Sequence, residues 1–128
     1  VRVAVIGATG VVGQTILQIF DERKIAIDEL LAFASRDRED GIVFRGKTVA
    51  VFAASTERVR AARPDVVFFA SSDDASKEMA EELASAGSYV IDNSATFRLD
   101  ARVPLVVPEV NPEAIRAYDR IFPVANCT

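Results

Sequence analysis

The chain has 128 residues, 50% of them hydrophobic, which is enough for one domain with a filled core. A net charge of −4 with 27% charged residues offers no electrostatic footprint for nucleic acid or an anionic membrane. No apolar run reaches the roughly 20 residues that span a bilayer, one cysteine excludes an internal disulfide and suits a reducing, cytoplasmic setting, and there is no histidine.

Short apolar runs alternate with helical patterns, the signature of βα units over a parallel sheet. Val1–Ile6 reads as a buried strand. From about Gly10 to Glu22, Val11, Val12, Ile16, Leu17, Ile19 and Phe20 form a helical apolar face. Leu30–Ser35 is a second strand, and Arg36–Gly41 reads as a charged loop. Val43–Arg45 and Thr48–Phe52 form a hairpin around Gly46-Lys47. Val66–Ala70 is an uninterrupted apolar strand, Asp74–Ala86 a helix stopped by Gly87, and Tyr89–Asp92 another strand. Asn93–Arg102 is a polar loop and Leu105–Val107 a short strand between Pro104 and Pro108. Asn111-Pro112 signals a helix start, with Asn as cap, and Ile121–Val124 returns to the sheet. The pattern predicts one doubly wound, Rossmann-like α/β domain over residues 1–128, with a mostly parallel sheet and a small β-hairpin insertion. The chain opens on Val1 directly into a strand and stops at Asn126-Cys127-Thr128 without a polar tail. The front part of a longer protein is therefore expected.

The first strand leads into Gly7-Ala8-Thr9-Gly10-Val11-Val12-Gly13, which opens the first helix. Gly7 permits the tight turn, Gly10 leaves room for a pyrophosphate, and Gly13 lets helix and strand pack closely. Backbone N–H groups and the helix dipole then form an anion site, so Gly7, Thr9, Gly10, Val11, Val12 and Gly13 are predicted to hold a dinucleotide. The bland alternative is a purely structural turn. An NAD site usually places a carboxylate at the end of the second strand, where this chain has Ser35-Arg36. A hydroxyl and a guanidinium suit the 2′-phosphate of NADP, unless Arg36 merely pairs with Asp37 or Glu39. Ser71, after the Val66–Ala70 strand, sits where such sheets present ligands, although Ser72 or Asp73 could simply cap the next helix.

Cys127 follows an apolar strand and is flanked by Asn126 and Thr128. A lone cysteine is either a small buried hydrophobe or, at a helix N-terminus, a thiol of lowered pKa. No metal site is expected.

Four segments together are specific. The glycine turn, Val90-Ile-Asp-Asn-Ser-Ala-Thr-Phe-Arg98, Val103-Pro-Leu-Val-Val-Pro-Glu-Val-Asn111 and Asn126-Cys127-Thr128 resemble aspartate-semialdehyde dehydrogenase in order and spacing over all 128 residues. One departure is Pro123-Val124-Ala125-Asn126-Cys127, where much of the family has Ala-Asn-Pro-Asn-Cys. The resemblance implies NADPH-dependent reduction of L-aspartyl-4-phosphate to the semialdehyde, on the route to lysine, methionine, threonine and isoleucine. Cys127 matches the nucleophile that forms a thioacyl-enzyme, Arg98 the phosphate-binding arginine, and Asn126 a residue near the phosphate; Asn93 lies in a loop close to the site. Read without the resemblance, Arg98 could pair with Asp92 or Asp100, and Asn93 could make an Asx turn.

The family's general acid/base is a histidine, and its substrate-carboxylate arginine comes from a later part of the protein. The segment alone is therefore expected to bind cofactor without turning over, inside a parent that forms a homodimer or tetramer. Its partners are a small acyl phosphate or semialdehyde and phosphate, with no nucleic acid and no membrane. Rival readings are an N-acetyl-γ-glutamyl-phosphate reductase, which usually has Gly-Cys-Tyr at the nucleophile, and a non-catalytic NADP-binding module.

Overall fold

The computed structural model describes residues 1–116 and 119–125. Seven strands form one sheet: β1 (Arg2–Ile6), β2 (Glu29–Ala34), β3 (Arg38–Phe44), β4 (Lys47–Ala53), β5 (Val66–Phe69), β6 (Tyr89–Asp92) and β7 (Ile121–Pro123). Three helices connect them: α1 (Val11–Glu22), α2 (Thr56–Ala61) and α3 (Asp73–Ser85). The strand order is β3-β4-β2-β1-β5-β6-β7, and every pairing is parallel except β3 with β4. This is the predicted mostly parallel, doubly wound sheet with a hairpin at one edge.

β1 lies between β2 and β5, with Val3 opposite Leu30 on one side and Val66 on the other. Alternate residues of β1 therefore supply two cores. Val3 and Val5 join Leu17 and Phe20 of α1 and Leu30, Ala32 and Val51 of the sheet. Ala4 and Ile6 join Val67, Phe69 and Val90 under Met79, Ala80 and Leu83 of α3 and Val59 of α2. A strand buried on both faces must be apolar throughout, which accounts for the unbroken run.

Five features differ from the sequence reading. Arg36–Gly41 is not all loop, because β3 begins at Arg38. Its first residues pair as an outer edge strand whose side chains stay exposed, so charge is tolerated there. The hairpin turns at Arg45-Gly46, both at positive φ (52° and 78°), one residue earlier than expected. Leu105–Val107 forms only a single bridge, Val106 with Val124, between prolines that cannot extend a ladder. Pro112–Ala114 is a three-residue 3₁₀ turn. Asn111 caps nothing there; its amide accepts from Val107 N and donates to the Leu105 carbonyl. The six-residue α2, capped by the Ser55 hydroxyl on Arg58 N–H, was not anticipated.

The hairpin is tied to the body by Arg45. Its guanidinium donates to the carbonyls of Phe20 and Ile25 at the C-terminal end of α1, 2.8 Å in both cases. A cation there also complements the helix dipole.

Candidate functional site

Because β1, β2, β5, β6 and β7 run parallel, the loops that follow them emerge along one edge of the sheet. The strand order reverses direction between β2 and β5, on either side of β1, which opens a crevice in sheets of this kind.

The glycine turn fills the start of that crevice. Gly7 has φ 94°, and its N–H and that of Ala8 both donate to the Phe33 carbonyl of β2. A Cβ on Gly7 would stand 2.5 Å from the Ala70 carbonyl oxygen, and one on Gly13 only 2.1 Å from the Gly7 carbonyl oxygen. Both glycines are thus demanded by packing. Gly10 is different: φ is an ordinary −81°, and an added Cβ meets nothing closer than 3.6 Å. The fold does not need a glycine there, whereas a group approaching the helix from outside would. Thr9 is half-buried in the turn, and Val11 is 85% exposed at the helix start. The N–H groups of Val11, Val12 and Gly13 point out of the first turn without an acceptor among the described residues, no side chain caps it, and it holds no acidic residue. In α2 and α3 the first turn carries Glu57 or Asp73 and Asp74. α1 alone presents an uncompensated positive end.

A cleft of about 230 Å³ continues from the turn, lined by Gly7, Ala34, Ser35, Ala54, Ser71 and Met79 among others. Ser35 and Ser71, from the ends of β2 and β5, are therefore brought together with Gly7. Arg36 is exposed beside them. It does not pair with Asp37 or Glu39: among the described residues it has no ion pair or hydrogen bond. Asp37 is occupied by Ala53 N–H at 2.7 Å and the Arg58 guanidinium at 3.0 Å, which hold its carboxyl below the usual range. Ser72 is the N-cap of α3 by position, but its hydroxyl makes no capping bond. The sequence reading passed over Ala34, Ala54 and Ala75, which also line the cleft; the signal for them was small residues at or just past strand ends and at a helix start, which leave the space open. A larger cavity, about 400 Å³, lies away from this edge between α3 and the segments 97–103 and 119–121. It is lined by Glu81, Arg102 and Arg120 and takes in none of the predicted site residues.

At the other end of the edge, Arg98 pairs with neither Asp92 nor Asp100. Its Nε donates to the Val124 carbonyl at 3.1 Å and its Nη2 to the Asn93 carbonyl at 2.7 Å. Two of its five N–H groups are used, which leaves the Nη1–Nη2 fork for an anion. Asp100 instead binds Arg102, which holds it at about 2. Asn93 continues the ladder by donating its N–H to the Phe69 carbonyl, and the Asx turn belongs to Asp92, which accepts from Ser94 N–H at 2.8 Å. Asn93, Arg98 and Val124 thus converge. Asn126, Cys127 and Thr128 lie outside the described residues. Among the described residues no group of side chains could hold a metal ion, and no helix is long and apolar enough to cross a membrane.

A family model described as semialdehyde dehydrogenase, NAD binding domain, matches residues 2–118. The chain is 42% identical over 127 residues to the aspartate-semialdehyde dehydrogenase of Aquifex aeolicus and 42% identical over 127 residues to aspartate-semialdehyde dehydrogenase 2 of Vibrio cholerae. The chain belongs to the aspartate-semialdehyde dehydrogenase family. It corresponds to that family's N-terminal NAD(P)-binding domain, with a Rossmann-like fold suited to NADP. The V. cholerae enzyme II crystallised with ASA superposes with a TM-score of 0.87 at 42% identity, covering 98% of this chain and 42% of that one. The chain spans 37% of the length of the two curated dehydrogenases. A Rex-family repressor, 20% identical with a TM-score of 0.58, shares the fold alone.

Proposed function

We propose that this domain is the NADP-binding front half of a two-domain enzyme that reduces L-aspartyl-4-phosphate to L-aspartate 4-semialdehyde. The observation that supports it most is Gly10: a glycine the fold does not require, at an uncapped helix end, next to a cleft that reaches Ser35, with exposed Arg36 beyond it unpaired among the described residues. Those residues fit an adenosine 2′-phosphate and a pyrophosphate, the groups that separate NADP from smaller nucleotides.

In this reading the first-turn N–H groups of α1 bind the pyrophosphate, Ser35 and Arg36 bind the 2′-phosphate, and Ser71 borders the passage towards the reacting end. The bound cofactor supplies hydride. Cys127, as thiolate, attacks the acyl carbon; the bond from that carbon to the phosphate oxygen breaks, and a thioacyl-enzyme and free phosphate result. Arg98, held by the Asn93 and Val124 carbonyls, presents its free fork to the departing phosphate, with Asn126 and Asn93 beside it. Reduction of that thioester to the aldehyde, for which bound NADPH would supply the hydride, would release Cys127 as thiolate. A proton-transfer histidine must come from outside, since the chain has none, so the isolated domain binds cofactor without turnover. The active protein is a homodimer or tetramer, in the aspartate route to lysine, methionine, threonine and isoleucine, acting in the cytoplasm.

Isothermal titration of the purified domain with NADP and NAD tests the cofactor half. Arg36→Ala should weaken NADP by roughly 10- to 100-fold and leave NAD nearly unchanged, the loss expected for a charge-assisted hydrogen-bonded pair. Equal loss for both cofactors sinks the NADP assignment. Turnover of the semialdehyde by the isolated domain overturns its dependence on a second domain. In the full-length parent, iodoacetamide labelling of Cys127 that substrate suppresses supports the nucleophile, and an inert thiol favours a non-catalytic module.

A further inference from the structure

The two ends of the candidate site are laced together by α3. Beyond Asn93 the segment 93–98 leaves the sheet, since its last ladder bond is Asn93 N–H to the Phe69 carbonyl. It is then held largely by the first turn of α3. The Ala95 N–H donates to the Asp73 carboxylate at 2.9 Å, and the Thr96 hydroxyl donates to the Asp73 carbonyl at 3.2 Å. The Ser94 hydroxyl donates to Thr96 Oγ1 at 3.0 Å and stiffens the same stretch. One turn further along α3, buried Ser76 donates its hydroxyl to buried Asp92 at 2.5 Å, while the other Asp92 oxygen accepts from Ser94 N–H. Phe97 is anchored in the core under α3, and Arg98 carries the connection to Asn93 and Val124.

The same N-terminal end of α3 leads straight back to the cofactor turn. Ala70-Ser71-Ser72 precedes Asp73; Ala70 N–H donates to the Ile6 carbonyl, and the Ala70 carbonyl oxygen lies where a Gly7 side chain would begin. The contacts therefore run from Gly7 through Ala70 to Asp73, on to Ala95 and Thr96, and so to Arg98. Ser71 and Ser72, two residues and one residue before Asp73, line the cleft.

We propose that Asp73 is a positioning residue: through its bonds to Ala95 and Thr96 it transmits occupancy of the cofactor cleft to the segment that holds the Arg98 guanidinium. The buried Asp92–Ser76 bond makes the base of that segment move with α3. This rests on the NADP reading above. Asp73 is not among the residues that line the cleft, and its Oδ1 accepts from Ala95.

Amide hydrogen exchange of residues 93–98, with and without saturating NADP, tests it. In the wild-type domain NADP should slow exchange at Ala95 and Thr96 about fivefold or more, the low end of ordinary site-to-site coupling. The double variant Asp73→Ala, Thr96→Val should bind NADP within about threefold of wild type, yet lose that response. Asp73→Asn keeps an acceptor oxygen for Ala95 and should keep the response. A merely structural tether would speed exchange equally with and without NADP. NADP binding that leaves residues 93–98 unchanged in wild type overturns the proposal alone, as does a full response in the double variant. No NADP binding to the wild-type domain takes down the functional reading and the proposal with it.

Discussion

Three alanine substitutions in one turn separate what the glycines do. In Gly13→Ala the new Cβ lands 2.1 Å from a backbone oxygen that cannot rotate aside, so α1 must lift from β1. Overpacking of this kind costs about 1–3 kcal/mol, and the gain in helix propensity returns about 1 kcal/mol at most. Gly7→Ala adds the left-handed backbone at φ 94° to a 2.5 Å clash with Ala70, for about 2–5 kcal/mol together. Gly10→Ala has ordinary φ and free space; a weaker N-cap is offset by a stiffer unfolded chain, so stability changes by less than about 1 kcal/mol. Its Cβ nevertheless stands in front of the open N–H groups of α1 and keeps a phosphate at a distance. The loss of one or two charge-assisted hydrogen bonds weakens NADPH roughly 10- to 100-fold. Thermal unfolding by circular dichroism and NADPH titration by fluorescence measure the two axes. Gly10→Ala should melt within about 4 °C of wild type and bind poorly. A Gly10→Ala protein that melts as early as Gly13→Ala, or one that folds and binds NADPH normally, refutes the reasoning.

Two further outcomes concern stability. Phe69→Ala in the middle of β5, fully buried beneath α3, should cost about 3–5 kcal/mol in urea unfolding; a loss below about 1 kcal/mol would mean that the core there is loosely packed. Hydrogen bonds from Arg102 lower Asp100 from 3.8 to about 2, so its contribution is full from about pH 5 upwards and is lost as the pH falls through 2. Asp100→Asn should therefore be less stable than wild type at neutral pH, with the gap narrowing below pH 4 and closing below pH 2, and a constant gap across that range would contradict the assignment.

The sheet was legible because its strands are buried on both faces, and apolar runs such as Val66–Phe69 have no other explanation. The hairpin edge was read too short: Arg38-Glu39-Asp40 looks like a loop, and only its pairing with β4 makes it a strand. α2 gave little signal, since Val59 is its one buried residue. Ser35 and Ser71 could be placed because each follows an apolar run and a parallel sheet puts strand ends together. Arg98 could not. Its partners are carbonyls of Asn93 and Val124, which no side-chain pattern records, and nearby Asp92 and Asp100 offered a false answer. The role of Asp73 was hidden for the same reason, because its partner is a backbone N–H far along the chain.

The seating of Gly7 against Ala70 also sets an order of events during synthesis. The residues of the glycine turn leave the ribosome before β5, yet one wall of their crevice belongs to β5, about 60 residues later. Until Ala70 arrives to bond Ile6, the turn is tied to the sheet through the Phe33 carbonyl of β2 and to α1 through Gln14, and remains open on the β5 side. A nucleotide that binds only the finished crevice cannot stabilise the nascent chain before that point. The crevice around the glycine turn is therefore among the later parts of the domain to form, and a ligand that needs it acts on folding only after the centre of the sheet has closed.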